Sequence, residues 1–413
     1  MTVRLLIDSL GSHGDGIART ERGQVFVPFT LPGEVVNAAV ERDRGTLMAV
    51  VEPSPLRVEP PCRHFGTCGG CSLQHMEAQA YRAFKAERVA AALKRERIEI
   101  DLEPLISCAP DSRRRVVLSA RKTADGMLLG YHRMQSSEII DIEECRIALP
   151  VIVAALPMLR NLAAQACRTA ALFHLTVTTT DNGLDVAFAD SGKLPDAGRR
   201  EVAAFALRER VARLSVDGEV LVEARKPTVR FGTAEVTPPP GGFLQAVASA
   251  EEAMATLVVG HMAKSKRVAD LFSGSGAFAL QLAQRSEVHA VEGEAGALAA
   301  LDRGFRFSTG LKRVTTERRD LFRRPLTFKD LDAFDGIVFD PPRAGAEDQS
   351  RQIARSGVPK VAAVSCNPVT LARDLHILID GGYRLVSVTP VDQFLWSPHV
   401  EAVALLEKPR KRR

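Results

Sequence analysis

The sequence predicts a multidomain protein: an N-terminal OB-like β-barrel, a central α+β domain and a C-terminal α/β domain with a doubly wound parallel sheet. Three observations predict this order. Short strands separated by Gly- or Pro-containing turns fill residues 1–59, strands and helices mix over 60–236, and strand and helix alternate over 237–413. The first pattern is typical of a small barrel and the last of a parallel sheet. The segment "TPPPGGF" at 237–243 marks the last boundary.

Four strand-like stretches make up the predicted barrel: "VRLLIDSL", "QVFVPF", "EVVNAAVERD" and "GTLMAVVEPS". Barrels of this kind often bind nucleic acid. In the central part the pattern predicts helices at 77–97, near 151–168 and at 197–210, and the C-terminal domain is one candidate surface for the first of these. The turn "DNG" at 181–183 predicts a hairpin between two strands.

Composition and charge narrow the class of protein. The 413 residues are 46% hydrophobic and 25% charged, as in an ordinary globular protein with more than one core. Because no run approaches 18 uncharged apolar residues, we expect no membrane span and a cytoplasmic protein. We also expect a monomer. The net charge of +5 is carried by "KPRKRR" at 408–413, which we expect to be a solvated tail. Any RNA-binding surface must therefore be built from local patches.

The stretch "CRHFGTCGGCSLQH" at 62–75 predicts a metal centre. It places Cys62, Cys68 and Cys71 within ten residues, and seven cysteines in a chain of this length favour a reducing compartment over a disulfide framework. A tetrahedral or cubane centre needs four ligands. Zinc modules commonly present two close cysteine pairs, and only one is present here, although His64 and His75 are possible ligands of a zinc ion.

The C-terminal part carries the predicted chemistry. In "RVADLFSGSGAFALQLA" a strand at 267–271 leads through Gly274 and Gly276 into a helix, and "EVHAVEGE" is a second strand that ends at Glu292. Glycines at this position let the backbone approach a nucleotide-like ligand, and the carboxylate can accept hydrogen bonds from ribose hydroxyls. The pattern also fits a dinucleotide-binding fingerprint or a purely structural turn.

Two further strands discriminate between these readings. "FDGIVFDPPRAG" ends in Asp340 followed by two prolines, for which a dinucleotide-dependent dehydrogenase has no use. "VPKVAAVSCNPVTLARDL" delivers Cys366 to the carboxyl end of a strand, beside the predicted ligand crevice. A lone cysteine is often an inert core residue, but this position favours a functional one.

In order along the chain, these motifs resemble the RNA (uracil-5-)-methyltransferases, which use S-adenosylmethionine. The matching pieces are "GDGIA" with "VFVPFTLPGE", "CRHFGTCGGCSLQH", "GGFLQ", "DLFSGSGAFAL", "VEGE", "RRDLF", "DPPRAG", "SCNP" and "HVEAVALLE". The resemblance implies a TRAM barrel and a C-terminal class I methyltransferase fold. The barrel together with the cysteine stretch resembles most the branch that modifies 23S rRNA, with tRNA as the alternative substrate.

The resemblance also implies a [4Fe-4S] cluster, completed by Cys145 in "DIEECRIAL" as the fourth ligand after Cys62, Cys68 and Cys71. Cys108 and Cys167 then remain as ordinary thiols. The cluster is expected to fold the central domain and to shape an RNA surface near four arginines, Arg113, Arg114, Arg115 and Arg121.

For catalysis the resemblance implies three residues. C5 of uracil is too weak a nucleophile to take a methyl group directly, and a thiolate that adds to C6 makes C5 reactive. Cys366 is the expected nucleophile. Glu401 in "SPHVEAVALL" is the expected general base that removes the C5 proton afterwards. Asp340 is expected to orient the base or the cofactor.

For S-adenosylmethionine the resemblance implies that Gln245 lies at the boundary between cofactor and base, and Phe272 packs on the cofactor. Glu292 would hold the ribose and Asp320 the adenine side, with Gly274 and Gly276 in the glycine-rich turn. Three positions depart from the family pattern: Val247, Ala277 and Ser273. Two other functions stay open: methylation of an exocyclic amine, which the Asp-Pro-Pro motif alone would allow, and an iron–sulfur RNA-binding protein with a vestigial site.

Overall fold

The computed structural model of the chain describes residues 2–167 and 169–409. The predicted solvated tail lies outside the described residues from position 410 onward. Among the described residues, no helix combines the length and the apolar character that a membrane crossing requires.

The N-terminal strands form one six-stranded sheet in the order β1-β5-β6-β4-β3-β2. The strands are β1 (Thr2–Leu6), β2 (Ser9–Leu10), β3 (Gly16–Thr20), β4 (Gly23–Val27), β5 (Val35–Glu41) and β6 (Arg44–Glu52). Because β1 and β2 are two residues apart yet pair with β5 and β3 at opposite edges, the sheet closes on itself as a barrel. Strands β4, β5 and β6 lie in three of the predicted stretches, and the first predicted stretch is divided into β1 and β2. The sequence did not predict β3.

Helix α1 (Ala78–Arg95) and strand β7 (Ile106–Ser107) follow the cysteine stretch and lie on the C-terminal domain. Val89 and Leu93 of the helix share a hydrophobic core with Leu375, far along the chain. Ile106 pairs in parallel with Val391 at the edge of the C-terminal sheet. The chain therefore contributes a helix and a strand to the last domain before it builds the central one.

The central domain is a seven-stranded sheet in the order β10-β9-β8-β11-β12-β13-β14. Its elements are β8 (Arg115–Thr123), β9 (Gly126–His132), β10 (Ile139–Asp141), α2 (Pro150–Ala154), α3 (Leu156–Ala166), β11 (Phe173–Thr180), β12 (Gly183–Ala189), α4 (Asp196–Arg208), β13 (Arg213–Val216) and β14 (Glu219–Glu223). The helices bury their apolar sides against the sheet. The turn at 181–182 joins antiparallel β11 and β12, so the predicted hairpin is confirmed.

A small hairpin leads into the C-terminal domain, whose sheet has the order β19-β18-β17-β20-β21-β23-β22-β7. The elements are β15 (Val229–Phe231), β16 (Ala234–Val236), α5 (Ala248–His261), β17 (Arg267–Leu271), α6 (Ala279–Leu282), β18 (Glu287–Glu292), α7 (Ala295–Arg306), β19 (Val314–Arg318), α8 (Phe328–Leu331), β20 (Gly336–Phe339), α9 (Glu347–Arg355), β21 (Lys360–Ser365), α10 (Pro368–Asp380), β22 (Arg384–Asp392) and β23 (Glu401–Glu407).

One edge of this sheet collects the residues of interest. Strands β17, β18, β20 and β21 are parallel, so their carboxyl ends meet at the same edge. The last strand runs the other way: β23 pairs antiparallel with β21, with Ala402 opposite Ser365. Consequently the first residue of β23, Glu401, lies at the same edge as Cys366, the residue that follows β21.

The expected RNA surface of four arginines is wrong for two of them. Arg114 is buried and its guanidinium pairs with the carboxylate of Glu251 at 2.7 Å. Arg115 donates two hydrogen bonds, each of 3.1 Å, to the carbonyls of Gly241 and Gly242. These side chains join the central domain to the C-terminal domain, because buried charges require partners inside the protein.

Candidate active site

A cavity of about 690 Å³ lies over the carboxyl edge of the C-terminal sheet. It is lined by all the predicted catalytic and cofactor residues except Gly276, namely Gln245, Phe272, Gly274, Glu292, Asp320, Asp340, Cys366 and Glu401. A large, mostly apolar cleft with a few converging polar groups is the usual form of a small-molecule site.

The glycine-rich turn between β17 and α6 shapes one end of the cavity. Phe272 has a φ of 61° and Gly274 a φ of 53°, so the chain turns sharply as it leaves the strand. The N–H of Gly274 donates to Glu292 at 2.9 Å, and the second oxygen of that carboxylate accepts the N–H of Glu294 at 2.8 Å. These bonds fix the carboxylate at the end of β18.

Gly276 has a different place from the one that the sequence predicts. It does not line the cavity. Its φ is 99°, and a Cβ there would stand 2.9 Å from Leu301 of α7 and 3.1 Å from Leu280. This glycine therefore lets the turn pack closely against the helices beneath it, whereas Ser273 and Ala277, two of the departures from the family pattern, do line the cavity.

An aromatic pair lines the cavity beside the glycine-rich turn. The rings of Phe272 and Phe322 lie 5.4 Å apart. Beside them, the Asp320 carboxylate accepts the N–H groups of Phe322 at 3.0 Å and Arg323 at 3.2 Å. Two apolar rings next to a fixed carboxylate suit a flat, polar-edged group such as a purine.

Two side-chain amides connect the carboxylates of Asp340 and Glu401. Gln245 donates from Nε2 to Asp340 at 3.0 Å and accepts at Oε1 from Gln393 at 2.7 Å. Gln393 also donates to Glu401 at 2.7 Å. Sequence reasoning missed Gln393, because the stretch "VDQFLW" carries no motif that marks a functional glutamine.

The surroundings of Asp340, Cys366 and Glu401 raise the pKa of each side chain and so favour its uncharged form in the free protein. Burial, assisted by the charge of Asp340, raises the pKa of Glu401 to about 8. Burial likewise raises the pKa of Asp340 to about 7, against the hydrogen bond from Gln245. The pKa of the Cys366 thiol is raised to about 11 by burial and by the carboxylates of Glu401 and Asp340, with Arg343 acting in the opposite direction. Perturbed groups that share one cleft are typical of an active site.

Asp270, on β17, is a second residue that the sequence did not mark. It is fully buried, and neither carboxyl oxygen has a hydrogen-bond partner within the described residues. Burial and the charge of Asp340 raise its pKa well above the usual value. A carboxyl in this setting is held neutral.

The loop at 393–400, which carries Gln393 and leads to Glu401, is anchored from below by α1. Lys85 is fully buried and donates to Asp392 at 2.6 Å, to the carbonyl of Phe394 at 3.0 Å and to that of His399. Tyr81 donates to the other oxygen of Asp392 at 2.6 Å. A buried ammonium with three acceptors fixes the loop that carries Gln393 and leads to Glu401.

The four predicted cluster ligands, Cys62, Cys68, Cys71 and Cys145, line one small cavity together with Tyr131. Burial raises the pKa of Cys71 to about 12, and the neighbouring thiols add to this shift. The convergence of four thiols agrees in kind with a thiolate-bound cluster. Within residues 2–167 and 169–409, however, no group of three or more His, Cys, Asp or Glu side chains is arranged to hold a metal ion.

The remaining candidates near that cavity have other places. His64 lines it, and its Nε2 accepts the N–H of Glu143 at 3.1 Å. His75 is fully buried outside the lining, and burial lowers its pKa to about 4. Cys108 and Cys167 are buried elsewhere and contribute to the cores of the C-terminal and central domains.

The open, mostly parallel sheet carries three features at its carboxyl edge: the glycine-rich turn, the carboxylate of Glu292 and the thiol of Cys366. This combination defines the protein as an α/β enzyme that acts on a nucleotide-like ligand. Sequence comparison identifies the family. The model described as "tRNA (Uracil-5-)-methyltransferase" matches residues 306–409, and the TRAM domain model matches residues 1–47.

Whole-length relatives agree with this assignment. An uncharacterized RNA methyltransferase of Mesorhizobium japonicum is 64% identical over 413 residues, covering 100% of both chains. The 23S rRNA (uracil(1939)-C(5))-methyltransferase RlmD of Pectobacterium atrosepticum is 32% identical, over 97% of this chain and 92% of its own. The chain belongs to the RNA (uracil-5-)-methyltransferase family.

Among solved structures, the tRNA (uracil-54, C5)-methyltransferase of Pyrococcus abyssi in complex with S-adenosyl-L-homocysteine has a TM-score of 0.77. The likeness covers 98% of this chain and 99% of that one at 23% identity, and it shows the shared fold.

Proposed function

We propose that the enzyme methylates C5 of a uridine in 23S rRNA, with S-adenosylmethionine as the methyl donor and a covalent bond between Cys366 and C6 of the base. The observation that carries the proposal is that Cys366, Glu401 and Asp340, which lie close enough to perturb one another's pKa, line the same cavity as the glycine-rich turn and Glu292. One cleft therefore offers groups for a pyrimidine and groups for a nucleoside.

Cys366 is the nucleophile of this mechanism. After the thiol has given its proton to water, the sulfur adds to C6, the electrons of the C5–C6 double bond move toward C5 and O4, and C5 becomes nucleophilic. S-adenosylmethionine supplies an electrophilic methyl group. Because burial and two carboxylates raise the thiol pKa to about 11, the thiol is protonated in the free protein and must lose its proton before it can attack.

Glu401 is the general base. Its carboxylate takes the proton from C5, the C–H electrons restore the C5–C6 double bond, and the C6–S bond breaks to return a thiolate to Cys366. A folded-state pKa of about 8 suits this task, since a base is most effective when its pKa lies near the working pH. Asp340, tied to Gln245, orients the pyrimidine.

Other residues of the cavity lining would hold the cofactor. Glu292 would bind the ribose hydroxyls, Phe272 would pack on the cofactor, and Asp320 would face its adenine side. Gly274 would leave the backbone room for the ligand, and Gln245 would lie between the cofactor and the base. Support comes from the fixed carboxylates of Glu292 and Asp320 and from the aromatic pair at 5.4 Å.

The 23S rRNA is favoured over tRNA because the 32% identical relative that covers nearly the whole chain is named for that substrate. We propose that the barrel at 1–59 binds RNA and that the catalytic unit at 237–413 acts with the central domain at 60–236. A base that must receive Cys366 at C6 has to be unstacked, so the target uridine is flipped out or lies in a loop.

We also propose that Cys62, Cys68, Cys71 and Cys145 bind a [4Fe-4S] cluster. The support is the shared cavity of the four thiols and the soft, fourfold thiolate donor set. A cluster held by these thiols would join the cysteine stretch to the loop that follows β10. The protein itself already connects the two segments, because the backbone N–H of Arg63 donates to Glu144 at 2.6 Å.

An RNA that carries 5-fluorouridine at the target tests the covalent mechanism. Fluorine at C5 cannot leave as a proton, so elimination stops after methyl transfer and the protein stays attached to RNA. The adduct should survive a denaturing gel, require S-adenosylmethionine, and disappear in Cys366→Ala. The control Cys167→Ala, which removes a buried thiol of the central domain, should still form it. A Cys366→Ala enzyme that methylates RNA would instead favour attack by an exocyclic amine.

Mass mapping of RNA from a strain that lacks the gene tests the substrate. Loss of one 5-methyluridine from 23S rRNA, with tRNA unchanged, is the expected result. Loss from tRNA alone would contradict the rRNA assignment and leave the reaction type intact.

A further inference from the structure

We propose that Gln393 is the positioning residue of the proton-abstraction step, because its side-chain amide holds the base Glu401 and the substrate-facing Gln245 in one arrangement. The inference rests on the proposed function, since it takes Glu401 as the base. It adds a residue outside all the sequence motifs and assigns one oxygen of Glu401 as the proton acceptor.

The orientation of the Gln393 amide follows from its surroundings. Its Oε1 accepts the backbone N–H of Ala246 at 3.0 Å, and a backbone N–H can only donate. The amide nitrogen must therefore point the other way, where its two hydrogens reach Gln245 and Glu401, both at 2.7 Å. Gln393 is 2% exposed, and all of its amide contacts are internal to the protein.

This arrangement leaves one carboxylate oxygen of Glu401 for chemistry. Gln393 occupies Oε2, and Oε1 has no hydrogen bond within the described residues, although Glu401 lines the cavity. The same amide presents Gln245 so that its nitrogen donates to Asp340 and keeps its second hydrogen for a ligand. A single rotamer of Gln393 thus sets both sides of the pyrimidine site.

The hydrogen bond from Gln393 affects the ionisation of Glu401, because other titratable groups lie close to that carboxyl. Asp340 at the end of β20 and Cys366 at the end of β21 lie against it, and Arg343 faces the thiol. Burial and Asp340 oppose ionisation of Glu401, while the Gln393 hydrogen bond favours it. Once Cys366 is bonded to C6 it no longer titrates, so ionisation of Glu401 is governed by Asp340 and Gln393.

Two variants of Gln393 test the inference. Gln393→Glu keeps the shape and the acceptor for the Ala246 N–H but replaces the donor by a carboxyl, and Gln393→Met removes both functions at similar volume. In single-turnover reactions with uridine-containing RNA, methyl transfer and release of RNA from the adduct are measured separately. We expect release to slow about tenfold more than methyl transfer, because a hydrogen bond to a charged group is lost.

The pH dependence of the RNA release rate is a second measurement, and a purely structural role of Gln393 would leave it unchanged. Loss of a donor to the carboxylate raises the pKa of Glu401, so less of it is ionised at a given pH. The rising limb of the release rate should therefore shift to higher pH, by about one unit in Gln393→Met and further in Gln393→Glu. The control is Gln349→Met, another buried glutamine, whose side-chain hydrogen bonds within the described residues go to the backbone of Leu326. It should lower thermal stability and leave the limb in place.

The outcomes separate this inference from the function on which it rests. If Glu401→Gln accumulates a methylated adduct while both Gln393 variants release RNA at the wild-type rate and pH limb, the role of Gln393 is wrong and the proposed function stands. If Glu401→Gln releases RNA normally, both are wrong. Equal slowing of methyl transfer and release, with no shift of the limb, reduces Gln393 to a structural residue and overturns the inference.

Discussion

Replacement of Glu401 by Gln should stabilise the folded protein at pH 8 and have little effect near pH 5. The Glu401 side chain is buried, and its pKa is raised from 4.5 to about 8 by burial and by the charge of Asp340. A group whose folded pKa is raised contributes stability that is complete below the unfolded pKa and is lost as pH rises through the folded one. For Glu401 the loss therefore develops between about pH 4.5 and pH 8.

The magnitude follows from the shift. Taken at full size, 4.5 to about 8 corresponds to about 5 kcal/mol, at about 1.36 kcal/mol per pKa unit. Part of it is repulsion shared with Asp340, which keeps its own burial cost in the variant. We expect Glu401→Gln to gain about 2–4 kcal/mol at pH 8 and under about 1 kcal/mol at pH 5. The amide keeps an oxygen that can accept the Gln393 hydrogen bond.

Urea unfolding at the two pH values measures this gain. Trp396, the single tryptophan, lies in the loop before Glu401 and serves as the fluorescent reporter. The matched control is Glu34→Gln in the barrel. Burial opposes ionisation of Glu34 too, but hydrogen bonds from Arg57 and the backbone outweigh burial and lower its pKa. That variant should lose stability at pH 8. A gain for Glu401→Gln that is equal at both pH values, or a loss at pH 8, would refute the reasoning.

Three other changes have defined outcomes. Lys85→Met leaves Asp392 buried without its cation and should cost about 3–5 kcal/mol in urea unfolding, part of which Asp392→Asn in the same chain restores; an unchanged midpoint would contradict the role of the pair. Protein purified without oxygen should contain about four irons per chain; Cys145→Ser should lose them and Cys108→Ser keep them, whereas stoichiometric zinc would rule the cluster out. Gly276→Ala, which forces a Cβ into the helices below a left-handed turn, should cost about 1–3 kcal/mol in thermal unfolding without changing the affinity for S-adenosylmethionine; selective loss of that affinity would make Gly276 a ligand contact.

The sequence is most informative where local pattern and position in the fold coincide. Strand β17 spans the predicted residues 267–271, and Cys366 follows its strand directly, because parallel strands deliver their carboxyl ends to one edge and the glycine-rich turn marks that edge. Glu401 is different. Nothing in the local sequence distinguishes it from an ordinary residue at the edge of a strand. Its position in the site depends on the antiparallel direction of β23 relative to β21, and a parallel sheet was predicted.

Interactions between distant segments are the part that local pattern does not reveal. A run of arginines looks like a surface patch, yet Arg114 finds Glu251 137 positions later and is buried with it. Gln393 meets Gln245 across 148 positions. Such partners are selected by three-dimensional packing, so the identity of each residue is visible in the sequence while its contact is not.

The separation of Lys85 from Asp392 has a consequence for synthesis of the protein. Their hydrogen bond spans 307 positions, and β7 pairs with β22 over a similar distance. On the ribosome, the barrel and the central sheet can fold while the chain is still growing, but helix α1 must wait for nearly the last residues before its buried lysine is neutralised. A nascent chain that stops before β22 carries Lys85 without Asp392, and the core-facing residues Val89 and Leu93 of the helix are uncovered. Such a chain is a natural target for chaperones, and a fragment that begins at residue 237 lacks the helix altogether.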